Sequence, residues 1–164
     1  MLTVKTHTFR AGAVLPTFKT AGAAGADIRA FLKDIEKDHP IWNYIQIDAE
    51  GPFILIPGNG RVLIPTGLAF EVPTGHEMQI RTRSGLAWND GLFVLNSPGT
   101  IDSDYRGEVA VIMLNTGKEH KRIRHGDRIA QCLIAPTVVT RYEESLGLSE
   151  TERGNGAYGS TGRK

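Results

Sequence analysis

The chain has 164 residues and a formal net charge of +1, with 40% hydrophobic and 23% charged residues. This length and composition are typical of one globular domain, and the near-neutral charge gives no reason to expect nucleic acid or an anionic membrane as a partner. The chain has a single cysteine, Cys132, which excludes an intrachain disulfide. No apolar run reaches the ~20 residues of a membrane span. We therefore expect a cytoplasmic protein.

Short extended segments dominate the first half of the chain. Residues 3–9 alternate in the manner of a strand, and compact apolar runs follow at 28–31, 53–56, 62–64 and 68–72. Proline and glycine residues separate these runs. The pattern predicts strands joined by tight turns.

Residues 33–52 differ from their surroundings in composition. They are polar and charged, with Trp42 and Tyr44 in the middle. We predict a surface insertion here. An exposed aromatic pair could bind a partner, but covering the protein's own barrel is the simpler interpretation.

The second half of the chain continues the strand pattern, with runs at 78–82, 92–95, 109–114 and 129–135. Both alternating faces of 109–114 are apolar, which predicts a strand buried on both sides. A short helix is predicted only at 84–90. Many short strands without a long amphipathic helix predict an all-β, jelly-roll-like barrel or sandwich.

Two parts of the chain are expected to behave differently. Residues 1–150 are predicted to form a single β domain. Residues 151–164 are rich in glycine and almost lack apolar side chains, so they cannot form a core of their own. We expect this tail to be flexible until something orders it.

The segment 99–108, GTIDSDYRGE, groups two carboxylates with a tyrosine and an arginine. In a straight strand Asp102 and Tyr105 would face opposite sides. A turn at Ser103 and Asp104 would let both face one pocket, where a carboxylate could take a proton from water. The alternative is a polar hairpin tip with solvated acids.

Two further segments have a functional and an ordinary interpretation. In 81–87, RTRSGLA, a helix start beside Arg83 and Ser84 favours a phosphate, or Ser84 is an ordinary helix cap. In 126–134, GDRIAQCLI, Gln131 is a polar residue within an apolar strand. Its hydrogen-bond partner is a ligand or a neighbouring backbone group.

The tail segment 153–162, RGNGAYGSTG, matches G-x-G-x-x-G in its letters. No βαβ unit surrounds the match, so a dinucleotide fold is excluded. Its backbone N–H groups with Arg153, Ser160 and Thr161 could wrap a polyphosphate, and Tyr158 could stack on a base. The alternative is a disordered tail.

The remaining candidates give weaker signals. The five histidines lack metal-ligand spacing, and Cys132 is interpreted as a buried packing residue. A basic cluster is interpreted as a solvated face; it comprises Lys121, Arg122, Arg124 and Arg128.

Together these segments resemble the trimeric dUTPase family across nearly the whole chain. That family has five short motifs in fixed order, and each has a counterpart here. The counterparts are AGADIRA at 24–30, RSGLA at 83–87, GTIDSDYRG at 99–107, GDRIAQ at 126–131 and RGNGAYGSTG at 153–162.

The resemblance implies a homotrimer of jelly-roll-like subunits with three shared active sites. It implies hydrolysis of dUTP to dUMP and pyrophosphate, which keeps uracil out of DNA and supplies dUMP for thymidylate synthesis. Asp102 is implied as the general base, and Mg²⁺ as held mainly by the triphosphate. Asp27 would contact the metal only indirectly, through water.

The resemblance also implies a set of substrate-binding residues. Tyr105 would pack under the deoxyribose, and Asn96 with the 96–112 hairpin would read the uracil edge. The tail would close over a neighbouring subunit's site. The implied residues are Arg83, Ser84, Gly85, Asn96, Gly99, Thr100, Ile101, Tyr105, Met113, Gln131, Arg153, Tyr158, Gly159, Ser160 and Thr161.

The chain departs from the family pattern at three places. The tail reads Gly156-Ala157-Tyr158 where Gly-Gly-Phe is usual, Thr82 precedes Arg83 where proline is common, and 33–52 is longer than the usual connection. Two alternatives remain at this stage: a dCTP deaminase of the same fold, and a nucleotide-binding regulatory trimer. The segment IDSDYRG argues against the deaminase, and the presence of Asp102 together with the phosphate-binding set argues against loss of activity.

Overall fold

The computed structural model describes residues 2–157. Within these residues the chain forms short strands, one helix α1 (Ser84–Asp90) and a 3-10 turn at Trp42–Tyr44. The strands are β1 (Lys5–Thr8), β2 (Ala26–Arg29), β3 (Ile45–Asp48), β4 (Gly51–Ile56), β5 (Arg61–Pro65), β6 (Leu68–Glu71), β7 (His76–Arg81), β8 (Leu92–Val94), β9 (Gly99–Ile101), β10 (Ala110–Asn115), β11 (Lys121–Arg124) and β12 (Arg128–Pro136).

The strands pair antiparallel in four small sheets. Their orders are β1-β6, β5-β10-β8, β11-β4-β3 and β2-β12-β7-β9. The predicted all-β, jelly-roll-like fold with one short helix is confirmed. Within residues 2–157 the hydrogen-bonded ladder does not close into a barrel. No helix in this part of the chain has the length and apolar character needed to cross a bilayer.

Alternation along the strands builds the core. In β10, Val111 and Met113 are buried, whereas the residues between them are only partly covered. The prediction of a strand buried on both sides is therefore wrong for the second face of β10. The reason is that apolar side chains can also lie on a partly covered face, so their presence does not establish burial.

The segment 33–52 is not purely a surface insertion. Ile35 and Ile41 are 5% and 0% exposed and belong to the main hydrophobic cluster, whereas Trp42 and Tyr44 are exposed. The expectation of a surface position is therefore wrong for these two isoleucines. Their apolar side chains are too few among charged neighbours to give a clear strand or helix period.

Polar contacts tie the start of this segment to the body. Arg10 donates to the carbonyl oxygen of Asp34 at 2.9 Å and forms an ion pair with Glu36 at 2.8 Å. His125 Nδ1 accepts the N–H of Leu32 at 3.1 Å. These contacts fix the chain on both sides of residue 33.

Substitutions at two adjacent positions test whether the segment is part of the core. Ile41→Ala should lower the free energy of unfolding by about 2–5 kcal/mol, because it leaves a cavity in the hydrophobic cluster. Trp42→Ala is the matched control, and it should cost less than ~1 kcal/mol because the indole is partly solvated. Urea unfolding followed by circular dichroism measures both. Equal small costs would show that the segment lies outside the core.

Candidate active site

Asp27 on β2 is the centre of a cluster that unites three of the conspicuous sequence segments. Its Oδ1 accepts from Arg83 Nε at 3.2 Å and from Gln131 Nε2 at 3.4 Å. Its Oδ2 accepts from Arg128 Nη1 at 2.9 Å. The β2–β12 register places Gln131 directly opposite Asp27.

The charge on Asp27 is stabilised despite burial. The side chain is only 2% exposed, and burial by itself opposes ionisation. The hydrogen bond from Arg128 and the charge of Arg83 outweigh that effect and hold the pKa of Asp27 below its usual value. The carboxylate therefore stays ionised and anchors two cations.

Arg83 reaches this cluster from the start of α1. It is the residue before the helix, with an extended backbone, and its Nη1 also donates to the carbonyl oxygen of Arg128 at 2.9 Å. Ser84 and Gly85 follow as exposed residues of the first turn. The interpretation of Ser84 as an ordinary helix cap is wrong, because Arg83 occupies that position and makes no capping bond.

Gln131 has a different partner from the one expected. The ordinary interpretation gave it a neighbouring backbone group, whereas its amide donates to the Asp27 carboxylate. A Cβ on Gly25 would lie 3.1 Å from Gln131 Cβ, so the glycine leaves room for this side chain. The Arg83 and Gln131 side chains thus share one acceptor.

A tight turn after β9 carries Asp102 and Tyr105. The N–H of Tyr105 donates to the carbonyl oxygen of Asp102 at 3.2 Å, which confirms the predicted turn at Ser103 and Asp104. Asp102 is exposed, and within residues 2–157 no hydrogen bond occupies its carboxylate. This is a suitable environment for a group that must accept a proton.

The tyrosine ring has a fixed position. Its hydroxyl donates to the carbonyl oxygen of Glu108 at 2.9 Å, and the side chain is 43% exposed. A Cβ on Gly107 would lie 2.5 Å from Tyr105 Oη, so the ring lies directly over glycine backbone. The opposite, exposed side of Tyr105 is available for contact with a ligand.

The other residues predicted from the hairpin have mixed positions. Asn96 and Thr100 are exposed, whereas Gly99 is buried, with Asn96 Nδ2 3.1 Å from where a glycine Cβ would stand. Ile101 packs partly against the core. Met113 is 1% exposed within the core, so its side chain is covered in this subunit. Its contact with substrate stays a prediction, made through the backbone.

The turn that carries Asp102 and the cluster around Asp27 lie toward opposite ends of β7. Asp102 follows Ile101, whose partner across the ladder is Met78. Arg83 comes five residues after Met78, and five extended residues span roughly 17 Å. Since the Arg83 side chain points to Asp27, one chain does not bring Asp102 to the Arg83 cluster.

The tail is only partly described. Arg153 is exposed, and its Nε donates to the carbonyl oxygen of Gly156 at 3.0 Å. It contacts neither group of site residues within the described chain. The predictions for Tyr158, Gly159, Ser160 and Thr161 lie outside the described residues.

The described residues do not form a metal site by themselves. Among residues 2–157, no three His, Cys, Asp or Glu side chains are grouped to hold an ion. Asp27 is bonded to two guanidinium groups, which repel a cation. These residues do not fit a protein-ligated Mg²⁺, and the indirect contact of Asp27 with a metal stays a prediction.

Other sequence interpretations have clear outcomes. Cys132 is 5% exposed, and burial raises the pKa of its thiol to about 12, which confirms a packing role. The solvated-face interpretation is wrong for Arg128, which pairs with buried Asp27. No spacing rule in the sequence pointed to this pair, which joins residues 101 positions apart.

Comparison with known proteins gives a consistent family. The dUTPase family model matches residues 45–162. The deoxyuridine 5'-triphosphate nucleotidohydrolase of Roseobacter denitrificans is 52% identical over 90% of this chain and 86% of its own. The protein of the same name from Treponema denticola is 50% identical over 92% of both chains.

Solved structures show the same fold at lower identity. A dUTPase variant of Staphylococcus bacteriophage 80alpha with dUpNHpp superposes with a TM-score of 0.77, 20% identity and 99% coverage of both chains. A variant dUTPase from phage phi11 of S. aureus, described with a structural Mg(II) ion, gives a TM-score of 0.70 and 17% identity. It covers 89% of this chain and 98% of its own.

Proposed function

Because the chain belongs to the dUTPase family, whose reaction converts dUTP to dUMP, we propose that Asp102 is the general base of that hydrolysis. The chain is a dUTP diphosphatase, so pyrophosphate is the second product. Asp102 takes a proton from the water that attacks the α-phosphorus, and pyrophosphate leaves. The exposed carboxylate at the turn after β9 is the observation that carries this assignment.

The phosphates are assigned to the cluster around Asp27. Arg83 uses Nε and Nη1 for protein contacts, and its remaining Nη2 can donate to a phosphate oxygen. Gln131 can donate its second amide N–H. The open space around Gly85, where a Cβ would have no neighbour within 4 Å, allows a phosphate to approach the backbone beside Ser84.

The nucleoside is assigned to the hairpin that begins at Asn96. The Asn96 amide and the backbone from Gly99 to Ile101 would pair with the uracil edge. Cytosine has a donor where uracil has an acceptor, so a mismatched polar pair in a closed site would reject it. Tyr105 would support the deoxyribose and exclude a 2′-hydroxyl. Met113 would contribute through its backbone.

The assembly is proposed to be a homotrimer with sites shared between subunits. The separation of Asp102 from the Arg83 cluster along β7 supports this, because a second copy could bring the two groups to one nucleotide. Arg153 with Tyr158, Gly159, Ser160 and Thr161 would close over the phosphates. Such a closure would exclude bulk water around the bound nucleophilic water and align the triphosphate.

Mg²⁺ is proposed to arrive as part of the substrate, held mainly by the triphosphate. The pairing of Asp27 with two guanidinium groups supports this view, since the cluster favours an anionic ligand. A cytoplasmic location is also proposed. The single, buried Cys132 is compatible with a reducing compartment.

Substrate choice tests the function. The purified protein with Mg²⁺ should release pyrophosphate from dUTP and leave dCTP, dTTP and UTP nearly unchanged. A pyrophosphate-release assay across these nucleotides measures the preference, and an ammonia assay with dCTP is run in parallel. Ammonia release from dCTP without pyrophosphate release from dUTP would identify a deaminase instead.

Loss of the general base should affect turnover more than binding. Asp102→Asn is expected to lower kcat by about 10²–10⁴-fold, because the amide cannot accept the proton from water. The Kd for a non-hydrolysable α,β-imido analogue of dUTP should stay within about threefold. Asp104→Asn, on the same exposed turn, is the matched control and should leave kcat near normal. Near-normal kcat in Asp102→Asn would remove Asp102 from this role.

Mixed trimers test whether the site is shared. Asp102→Asn and Arg83→Gln subunits should each be inactive alone. Refolded together in equal amounts, they should regain roughly a quarter of wild-type activity, since some sites combine the two intact residues from different subunits. Mixing Asp102→Asn with the double variant is the control and should regain none. No recovery in the first mixture, with trimers formed, would place both residues in one subunit's site.

A further inference from the structure

Arg128 is the member of the Asp27 cluster to which no phosphate contact has been assigned. Its side chain is 35% exposed, and Nη1 lies 2.9 Å from Oδ2 of the buried Asp27. We propose that Arg128 is a positioning residue that keeps Arg83 and Gln131 directed at the triphosphate. This inference rests on the phosphate-binding role proposed for those two residues.

The course of β12 brings Arg128 to Asp27. Residues three apart in a regular strand face opposite sides of the sheet, so Arg128 and Gln131 should point apart. The register between β2 and β12 shifts between Arg128 and Ala130. This irregularity turns Arg128 to the face of the sheet on which Gln131 lies. Both side chains therefore reach the Asp27 carboxylate.

Arg128 determines which oxygen of Asp27 is available to Arg83 and Gln131. It occupies Oδ2, and Oδ1 is left for Arg83 Nε and Gln131 Nε2. Without Arg128, a buried carboxylate with a free oxygen would attract a bidentate contact from Arg83. That rotation would engage a guanidinium N–H that is otherwise free to bind phosphate.

Arg128 also restrains Arg83 directly. Its carbonyl oxygen accepts Arg83 Nη1 at 2.9 Å. Arg83 is therefore held at two of its nitrogens, by Asp27 and by the Arg128 backbone. A guanidinium fixed at two points loses less freedom when it binds a phosphate than a free side chain does.

The other members of the basic cluster have different partners. Lys121 pairs with Asp90 at 3.2 Å, and Arg122 pairs with Asp48 at 3.2 Å. Arg122 is 47% exposed on its side chain, and its ion-pair partner Asp48 lies outside the Asp27 cluster. It is therefore a matched control for removal of one arginine.

The experiment compares Arg128→Met with Arg122→Met in the full-length protein. Affinities are measured for the α,β-imido analogue of dUTP and for deoxyuridine, which has no phosphate. Arg128→Met should weaken binding of the analogue by at least about tenfold and leave deoxyuridine within about threefold. Arg122→Met should change neither. Wild-type hydrolysis of dUTP, assayed in parallel, tests the proposed function separately.

A second variant covers a failure to fold. Arg128→Lys keeps the charge beside Asp27 but replaces the planar fork with a point charge, so it should fold and lose part of the analogue affinity. An Arg83→Gln/Arg128→Met double variant should lose less than the product of the single losses, because both act through one group. Wild-type affinity for the analogue in the folded Arg128 variants would overturn the inference, as would equal losses for both ligands.

Discussion

The buried Asp27 carboxylate is the contact on which the candidate site depends. A charge in this position is costly unless it is paired, and here two guanidinium groups and an amide satisfy it. The pairing joins β2, β12 and the start of α1, which are far apart in the chain. The charged network proposed to bind the phosphates thus also holds three elements in a fixed arrangement, and its geometry is set before any nucleotide binds.

The position of β7 separates the Asp102 turn from the cluster around Asp27 within one chain. β7 pairs with β12 on one side and with β9 on the other. Gln131 lies beside Arg81 and Ile101 lies beside Met78, so the Gln131 and Asp102 segments are at different positions along β7. Side chains cannot cover that separation, and a rigid sheet cannot fold to shorten it. This separation supports the proposal that sites are built between copies of the chain.

The sequence predicted the strands with clear apolar runs, the short helix and the turn before Tyr105, because these depend on local patterns. It did not predict β3 or β11. β11 reads KRIR with only Ile123 buried, so it gives no clear alternation signal. Arg128 was missed for another reason. Its approach to Asp27 depends on an irregularity in strand register, which is a property of the assembled sheet rather than of the residues.

A series of contacts connects the hairpin that carries Tyr105 to the segment 33–52. Tyr105 packs on Gly107, and its hydroxyl donates to the carbonyl oxygen of Glu108. The Glu108 carboxylate accepts the N–H of Gly67 at 2.7 Å and forms an ion pair with Arg10 at 3.4 Å. Arg10 in turn pairs with Glu36. A nearly buried arginine therefore lies between the tyrosine's support and the inserted segment. Because Arg10 holds both carboxylates, the position of the inserted segment and that of the hairpin base are physically connected, although they are about 70 residues apart in sequence.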